Sequence, residues 1–204
     1  MRIVLGLCGL LLLMGACKEA AAPIDYYRLP TFTDENKTVV NMVVEIPAGT
    51  NKKIEFDPQT GKFEQDIENN QPRVIRFLPY PANYGFIPST YMDPAQGGDG
   101  DALDIILIAE QLPVGAIVPV RPLATMLLED EGELDHKIVA IPADSSLQIF
   151  PVEHFETLMI DHNAVLQLLR DWFVHYKGLG IMQFKGWKND QYTLSEIKRW
   201  ERAQ

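Results

Sequence analysis

The stretch GGDGDALDIILIAE, residues 97–110, joins an acidic segment directly to an apolar run. Asp99, Asp101 and Asp104 fall within six positions, and the apolar residues 105–108 follow at once. A short apolar run bounded by turn residues is typical of a buried β-strand. The sequence therefore predicts a strand that enters the core here, with three like charges crowded around its start.

Further short apolar segments lie on both sides of this stretch. TVVNMVVEIP (38–47) predicts a strand, and KKIEFDPQTGKFEQD (52–66) predicts a hairpin, because its apolar residues alternate around a Pro- and Gly-containing turn. RVIRFLP (73–79), AIVPVRPLATMLLED (116–130) and HKIVAIP (136–142) are further predicted strands. Many short strands at this spacing are typical of a small β-barrel, closed or partly closed.

The apolar spacing changes to that of helices towards the C-terminus. A first helix is predicted to follow an N-cap at Asp161 and to end near Gly178. A second is predicted to begin at TLSE, where Thr193 and Glu196 have capping-box spacing. The sequence thus indicates one mostly β (α+β) domain over residues 38–204, a barrel with flanking helices. The face of the first helix that is predicted to be buried comprises Val165, Leu168, Leu169, Trp172, Phe173 and Tyr176.

Residues 1–16 have the pattern of a secretory signal peptide. Arg2 precedes an apolar run that is too short to span a bilayer, and small residues precede Cys17, as in a lipobox. Cys17 is therefore predicted to carry lipid, and residues 17–37 to form a lipid-attached tether and N-terminal arm. This predicts an extracytoplasmic, membrane-anchored lipoprotein of a bacterium, which contacts the membrane only through its lipid. The alternative is a plain signal peptide followed by an incidental Cys.

The composition excludes several function classes. With 47% hydrophobic and 23% charged residues, the chain can form one sizeable core. Its formal charge is −10, and removal of Arg2 with the signal peptide makes it −11. So acidic a chain repels phosphate backbones, which argues against nucleic-acid binding. Cys8 leaves with the signal peptide and Cys17 is used for lipid, so no thiol remains for a disulfide or a thiolate metal site.

The acidic cluster Asp99, Asp101 and Asp104 admits three interpretations. A solvated loop accounts for the first two residues but not for Asp104, which directly precedes the apolar run. A calcium loop of the EF-hand type fails because Leu103 and Asp104 occupy its fifth and sixth positions, which need an oxygen ligand and a Gly. The favoured interpretation is a site for several Mg²⁺-like cations, which would offset the repulsion between the carboxylates.

A second acidic cluster supports the metal interpretation. Asp130, Glu131 and Asp135, with Lys137 close by, lie in a predicted turn between two strands. Alone, this pattern is typical of a solvated hairpin tip. Two acidic turns at strand ends, however, can face each other across the mouth of a barrel.

Cationic and phenolic residues form a third group. Each has an ordinary surface or packing explanation when taken singly. Together they predict an anion pocket opposite the metals, which is what phosphoryl chemistry requires. These residues are Lys53 beside Glu55, Arg73 and Arg76, Tyr80 and Tyr84, and Tyr176 and Lys177.

GDGDALD resembles the Asp-x-Asp-Pro-x-Asp signature of the soluble family I inorganic pyrophosphatases. The resemblance extends from about Val43 to Trp187 and includes VVEIP, KIEFD, PYPANYG, RPLATM, DEGELDHKIVAIP and HYKGL in the family's order. It implies a five-stranded OB-like barrel, a homo-oligomer, and Mg²⁺-dependent hydrolysis of pyrophosphate to two orthophosphates. A lipid-tethered binding module without catalysis, and a hydrolase of nucleotides or polyphosphate, are the alternatives.

The resemblance also implies a role for each matching residue. Asp101 would be the general base, and Asp99, Asp104 and Asp135 would hold the metals near the nucleophilic water. Asp130 and Glu131 would bind further metal with the substrate, and Glu45 and Glu55 would line the same cavity. The residues implied to bind the phosphates are Lys53, Arg73, Tyr84, Tyr176 and Lys177, with Lys137 and Tyr80 close behind.

The sequence departs from the family pattern at three places. Ala102 replaces the Pro of the signature, which removes a restraint on φ but no ligand. The segment DIENNQPRVIRF (66–77) is longer than in compact bacterial members, so the choice of Arg73 over Arg76 follows the pattern of longer members. The lipobox is the third departure, because familiar members are cytoplasmic.

Overall fold

The structure, a computed structural model, describes residues 24–202. Its strands, in chain order, are β1 (Val40–Ile46), β2 (Ile54–Asp57), β3 (Lys62–Gln65), β4 (Ile67–Glu68), β5 (Gln71–Pro72), β6 (Asn83–Phe86), β7 (Asp104–Leu107), β8 (Ile117–Asp130), β9 (Glu133–Leu134), β10 (Lys137–Pro142) and β11 (Met182–Lys188). Its α-helices are α1 (Phe155–Asp161), α2 (Asn163–His175) and α3 (Asp190–Trp200).

Five of these strands close into a barrel. Strands β1, β6, β7, β10 and β8 pair in that order, and β8 pairs again with β1 to complete the ring. The pairing of β7 with β10 is parallel and the other four are antiparallel. The predicted five-stranded barrel with flanking helices is therefore confirmed.

The barrel strands are apolar in continuous runs because both of their faces are covered. In β7, Ile105 and Leu107 pack into a cluster with Ile197 of α3, whereas Ile106 packs into a second cluster with α2. Every residue of β10 is buried. A strand covered on both faces has no solvated side that could require alternating polar residues.

The predicted hairpin at 52–66 is confirmed as β2 and β3, but the predicted strand at 73–79 is wrong. There, Val74 forms only an isolated bridge with Lys52. Ile75 is the buried side chain, while Phe77 and Leu78 are exposed. One anchoring side chain does not hold a strand against the barrel, so the segment follows the 50–53 loop instead.

Three strands of the main sheet were missed in the sequence: the two-residue β9, which lies in a predicted turn, and the longer strands β6 and β11. β6 lies inside PYPANYGFIP (79–88), where Pro and Gly resemble turn residues, yet all four of its residues are buried. β11 pairs with β8 on the outside of the ring, and its Gly186 has a φ of 133° where the register shifts. Its mixture of polar and aromatic residues gives no clear period.

The first predicted helix is two helices in the structure. Asp161 is the last residue of α1 and His162 is the N-cap of α2, so the predicted cap at Asp161 is wrong. Leu168 is 55% exposed, and Leu166 is buried in its place, beside Leu169. The buried stripe therefore includes Leu166 in place of Leu168, while Val165 and Tyr176 are partly buried against the same cluster.

The second predicted helix begins earlier than TLSE. Asn189 caps α3, and its side chain accepts a hydrogen bond from the Tyr192 backbone N–H. Thr193 and Glu196 are buried inside the helix and bond to other elements, so the predicted capping box is wrong.

The N-terminal arm packs onto the barrel over the part that the structure describes. Tyr26 and Tyr27 contact the rings of Phe56 and Phe86, at centroid distances of 4.6–5.4 Å. The predicted signal peptide and lipidated Cys17 lie outside the described residues. Between residues 24 and 202, no helix has the length and apolar character that a bilayer crossing needs.

Candidate active site

A cavity of about 800 Å³ lies at one end of the barrel, and we call it the active-site cavity. Strands β1, β6, β7, β8 and β10 each contribute a side chain to it. Of the residues predicted from the sequence, Tyr80 and Glu131 are not among its lining residues. The predicted residues that do line it are Glu45, Lys53, Glu55, Arg73, Tyr84, Asp99, Asp101, Asp104, Asp130, Asp135, Lys137, Tyr176 and Lys177.

Lys137 lies at the centre of the acidic side chains. It pairs in register with Asp104 across the parallel strands β10 and β7, which brings both side chains to the same end of the barrel. Its ammonium donates to Asp104 Oδ2 at 2.6 Å, to Asp135 Oδ1 at 2.8 Å and to the Tyr84 hydroxyl at 3.3 Å. The Tyr84 hydroxyl in turn donates to Asp104. One buried cation thus joins two carboxylates and a phenol.

The charge of this network persists despite its burial. The Lys137 side chain is only 2% exposed, which disfavours its charge, but Asp104 and Asp135 raise the pKa of its ammonium well above the usual value. Burial likewise disfavours the charge of Asp135, but Lys137 lowers the pKa of that carboxyl. Burial and the neighbouring carboxylates raise the pKa of the Tyr84 phenol, which keeps its proton.

Asp130 faces this network from the end of β8. It pairs with Lys177, which follows α2, while its other oxygen, Oδ1, is buried and has no hydrogen-bond partner among the described residues. The hairpin turn between β8 and β9 consists of Glu131 and Gly132, with φ of 50° and 98°. Two successive positive φ values define a tight turn. This turn leaves Glu131 exposed at the tip, while Glu133 lines the cavity.

Asp99 and Asp101 lie on a tight loop before β7. The Asp101 backbone N–H donates to Asp99 Oδ1 at 3.0 Å, across Gly100 with a φ of 88°. The loop approaches Met92 so closely that a Cβ on Gly98 would lie 2.4 Å from the Met92 carbonyl carbon. Burial, with repulsion from nearby carboxylates, raises the pKa of Asp99 to about 6 and also raises that of Asp101.

Glu45 is directed into the cavity by an irregularity in β1. The register of β1 against β6 shifts between Val44 and Ile46, so Glu45 is an extra, bulged residue. Its Oε1 accepts a hydrogen bond from the Phe56 backbone N–H at 2.8 Å. Burial raises the pKa of the Glu45 carboxyl to about 8, against the opposing effect of Lys53.

Most of the predicted cationic and phenolic residues line the same cavity as the carboxylates. Lys53 pairs with Glu55 at 2.9 Å, so the two side chains lie on the same face of the hairpin. Arg73 lines the cavity and pairs with Asp66 at 3.0 Å, whereas Arg76 is exposed and is not a lining residue. The cavity therefore has the first of the two candidate arginines.

The two remaining phenols differ in position. The Tyr176 ring stacks on that of Trp172 at 4.7 Å and borders the cavity, and burial raises the pKa of its hydroxyl. Tyr80 is buried behind Tyr84, with ring centroids 5.4 Å apart. Tyr80 thus supports the pocket wall from behind.

Comparison with known proteins identifies the family that has this barrel and this cavity. The family model described as "Inorganic pyrophosphatase" matches residues 42–204. The chain belongs to the inorganic pyrophosphatase family. The resemblance found in the sequence motifs is therefore confirmed over the whole barrel and its helices.

Individual inorganic pyrophosphatases show the same relationship. That of Neisseria meningitidis serogroup A is 32% identical over 186 residues, which cover 87% of this chain and 98% of the relative. That of Sulfolobus acidocaldarius is 36% identical over 165 residues, or 78% and 88% of the two chains. The crystal structure of the Thermus thermophilus inorganic pyrophosphatase has a TM-score of 0.69 at 30% identity, covering 86% of this chain and 95% of that one.

The donor set of this pyrophosphatase-family cavity suits hard divalent cations. The acidic residues that line it are Asp and Glu, and their carboxylate oxygens are the kind of ligand that Mg²⁺ prefers. A bound cation would give Asp130 Oδ1 the partner that it lacks among the described residues. It would also offset the burial and repulsion that raise the pKa of Asp99. Within residues 24–202, no three His, Cys, Asp or Glu side chains already stand together as a metal-binding group. Instead, Lys137 and Lys177 hold three of the carboxylates.

Sequence reasoning missed several residues that the fold brings to the cavity. Tyr27 comes from the N-terminal arm, Tyr91 from the loop after β6, and Arg202 from beyond α3. None belongs to a motif quoted above. Tyr27 and Arg202 are also distant in sequence from the acidic clusters, and they reach the cavity through the packing of the N-terminal arm and of residues 200–202 against the barrel.

Proposed function

We propose that this protein hydrolyses inorganic pyrophosphate to two orthophosphates and depends on Mg²⁺. The observation that supports this most strongly is one cavity that brings carboxylates together with lysines, an arginine and phenols. The names of the relatives point to the same reaction. This arrangement suits a substrate that is itself anionic and is bound together with cations.

The carboxylates are proposed to divide into two roles. Asp99, Asp104 and Asp135 would hold Mg²⁺, with Asp130, Glu45 and Glu55 around them, whereas Glu131 lies outside the cavity. Bound Mg²⁺ would supply a Lewis acid that makes water a usable nucleophile and neutralises phosphate charge. Asp101 would accept the proton of the attacking water, and burial raises the pKa of its carboxyl towards the range that a general base needs.

The cationic and phenolic residues would hold the substrate and stabilise its departing phosphate. Arg73 and the adjacent pair Tyr176 and Lys177 reach the cavity from two different segments and offer charged and phenolic donors. Lys53 and Tyr84 would position the other phosphate. Because these donors are fixed before the substrate binds, they cost little reorganisation during the reaction.

One assay separates this proposal from its alternatives. Phosphate release is measured from pyrophosphate, ATP and tripolyphosphate, each with and without Mg²⁺. The proposal predicts Mg²⁺-dependent release that is fastest from pyrophosphate. Fast release from ATP or tripolyphosphate alone would instead indicate a nucleotide or polyphosphate hydrolase. A lack of release from all three would indicate a binding module without catalysis.

We further propose that the protein acts outside the cytoplasm, anchored by lipid on Cys17. The support is the sequence of residues 1–17, an apolar run followed by small residues and Cys. A radiolabelled or alkyne-tagged fatty acid should label the wild type in bacteria but not Cys17→Ser. Equal labelling of both chains would exclude this lipidation site.

We also propose that the protein forms homo-oligomers, as the sequence resemblance implies. Light scattering coupled to gel filtration should give a mass that is a multiple of the chain mass. A monomer mass at micromolar concentration would contradict this.

A further inference from the structure

The C-terminal residues of the described chain form part of the cavity wall. Residues 200–202 run beside residues 89–91: the Tyr91 backbone N–H donates to the Trp200 carbonyl at 2.9 Å, and that of Arg202 donates to the Ser89 carbonyl at 2.8 Å. Arg202 and Tyr91 both line the active-site cavity. The backbone of Arg202 is therefore fixed at the cavity by a short β-like pairing, although it follows the last helix.

The Arg202 side chain is held over an aromatic ring. Its guanidinium carbon lies 3.6 Å from the centroid of the Tyr91 ring. Arg202 also borders a second cavity, to which Tyr91 does not contribute. Stacking of this kind leaves the N–H groups at the edge of the guanidinium available to an anion.

The charge of Arg202 is not neutralised in the way that the other cavity cations are. Lys53, Lys137, Lys177 and Arg73 each have a carboxylate partner. Among the described residues, no carboxylate lies within 4.0 Å of the Arg202 guanidinium.

The Arg202 guanidinium lies near the acidic loop at residues 99–101, whose negative charge repels a phosphate. The Tyr91 hydroxyl is 4.0 Å from the position that a Cβ on Gly100 would take, between Asp99 and Asp101. The chain as a whole has a formal charge of −10. A polyanion approaching this side meets like charges unless a cation faces it. The cavity, at about 800 Å³, has the volume of a site for a drug-sized ligand and so has room beside a diphosphate.

We propose that Arg202 is a further phosphate-binding residue, which captures the incoming pyrophosphate beside the acidic loop that carries Asp99 and Asp101. This inference rests on the proposed function. The guanidinium, held on Tyr91, would donate to a phosphate oxygen and would contribute to binding rather than to the chemical step. The effect belongs to the ground state and to encounter, because Arg202 is an exposed residue of the cavity wall.

The test compares Arg202→Gln with wild type and with Arg199→Gln. Arg199 is the matched control, because its guanidinium also stacks on a ring, that of Trp200 at 4.2 Å, but it does not line the cavity. Arg202→Gln should raise KM for pyrophosphate by about two- to fivefold, the scale of an exposed ion pair, with kcat unchanged. The difference in kcat/KM from wild type should shrink at high ionic strength. Arg199→Gln should match the wild type.

A binding measurement separates this inference from the proposed function. Imidodiphosphate, a pyrophosphate analogue that resists hydrolysis, is titrated into each protein by calorimetry in the same Mg²⁺ buffer. Its Kd should rise by a similar factor for Arg202→Gln only. Equal Kd and KM for Arg202→Gln and wild type would overturn the role of Arg202. Failure of the wild type to hydrolyse pyrophosphate would instead overturn the proposed function, while the Kd values would still decide on Arg202.

Discussion

Asp104 begins the buried strand β7, and its carboxylate accepts hydrogen bonds from both Tyr84 and Lys137. Asp101, three residues earlier, lies on the loop, and none of the described residues forms an ion pair with its carboxylate. The two aspartates of one short segment are thus in different environments: one is tied into the barrel and the other is free to meet water. This difference supports the assignment of metal binding to Asp104 and of proton transfer to Asp101.

The first prediction at the residue scale concerns these two aspartates. Asp101→Asn should lower kcat by a factor of about 10² to 10⁴, the usual range for a general base, with little change in Mg²⁺ affinity. Asp104→Asn should lower both kcat and the affinity for Mg²⁺, because it removes a proposed metal ligand and leaves Lys137 without one of its two carboxylate partners. Steady-state kinetics over a range of Mg²⁺ concentrations measures both effects. Near-normal turnover of Asp101→Asn would refute its role.

The second prediction at this scale follows from the raised pKa values of Glu45, about 8, and Asp99, about 6. A carboxyl whose pKa is raised by folding binds its proton more tightly in the native state. Its stabilisation is present at low pH and is lost as the pH rises through the raised pKa. The metal-free protein should therefore have a lower Tm at pH 8 than at pH 5, and excess Mg²⁺ should reduce that difference.

Thermal unfolding in EDTA and in Mg²⁺, at both pH values, checks this expectation. In a chain of this size, each kcal/mol lost lowers Tm by about 2–4 °C. Glu45→Gln, which cannot ionise, is the matched control and should show a smaller decrease between pH 5 and pH 8. A metal-free protein that is more stable at pH 8 would contradict the raised pKa values.

At the scale of elements, α3 is joined to the barrel by a buried polar network. Glu196 Oε1 accepts from the Trp200 indole N–H at 2.9 Å and bonds to His136 Nδ1 at 2.8 Å. The hydroxyls of Thr125 and Thr193 bond to each other at 2.8 Å. Because His136 lies between Asp135 and Lys137, this network also fixes the start of β10, where the cavity begins.

Glu196→Ala should therefore destabilise the protein by about 3 kcal/mol, the usual cost of leaving buried polar partners unpaired. Burial opposes the charge of Glu196, but hydrogen bonds from His136 and Trp200 lower the pKa of its carboxyl. Its contribution is thus present above its usual pKa of 4.5 and is lost as the pH falls below it. Urea unfolding at pH 7 measures the effect, and exposed Ser195→Ala in the same helix should change little. An equal stability of Glu196→Ala and wild type would exclude the network as a link.

The sequence was sufficient for the elements whose pattern arises from local burial. The runs at 105–108 and 136–142 predicted strands correctly, because a strand covered on both faces must be apolar throughout. The 73–79 strand and the caps at Asp161 and Thr193 failed because tertiary contacts decided them. β6 was hidden by its Pro and Gly, and Gly85 is required there since a Cβ would lie 1.9 Å from the Val43 carbonyl oxygen.

The same distinction applies to the candidate site. The acidic clusters and the motif residues could be found in the sequence because they follow a recognisable order. The sequence could not show which of these residues contact one another, because the contacts depend on the register of the strands. Lys137 contacts Asp104 because β7 and β10 pair in parallel at those residues. Tyr27 and Arg202 belong to no motif and reach the cavity only through the packing of the chain ends.

At the scale of the whole molecule, the closed ring gathers negative charge at one end. Five strands end or begin around the cavity, and the acidic residues of two turns meet there. Lys137 and Lys177 neutralise only part of this charge in the metal-free protein. The account therefore depends on divalent cations that bind between carboxylates which would otherwise repel one another.

The measurement that tests this most directly is a crystal structure of the protein soaked in Mn²⁺, a Mg²⁺ substitute that anomalous scattering locates. The account predicts anomalous peaks in the cavity within coordination distance of Asp99, Asp104 and Asp135, with Lys137 displaced from one of its two carboxylates. A fully soaked crystal without a peak among these three side chains, in a protein that still hydrolyses pyrophosphate, would contradict the account.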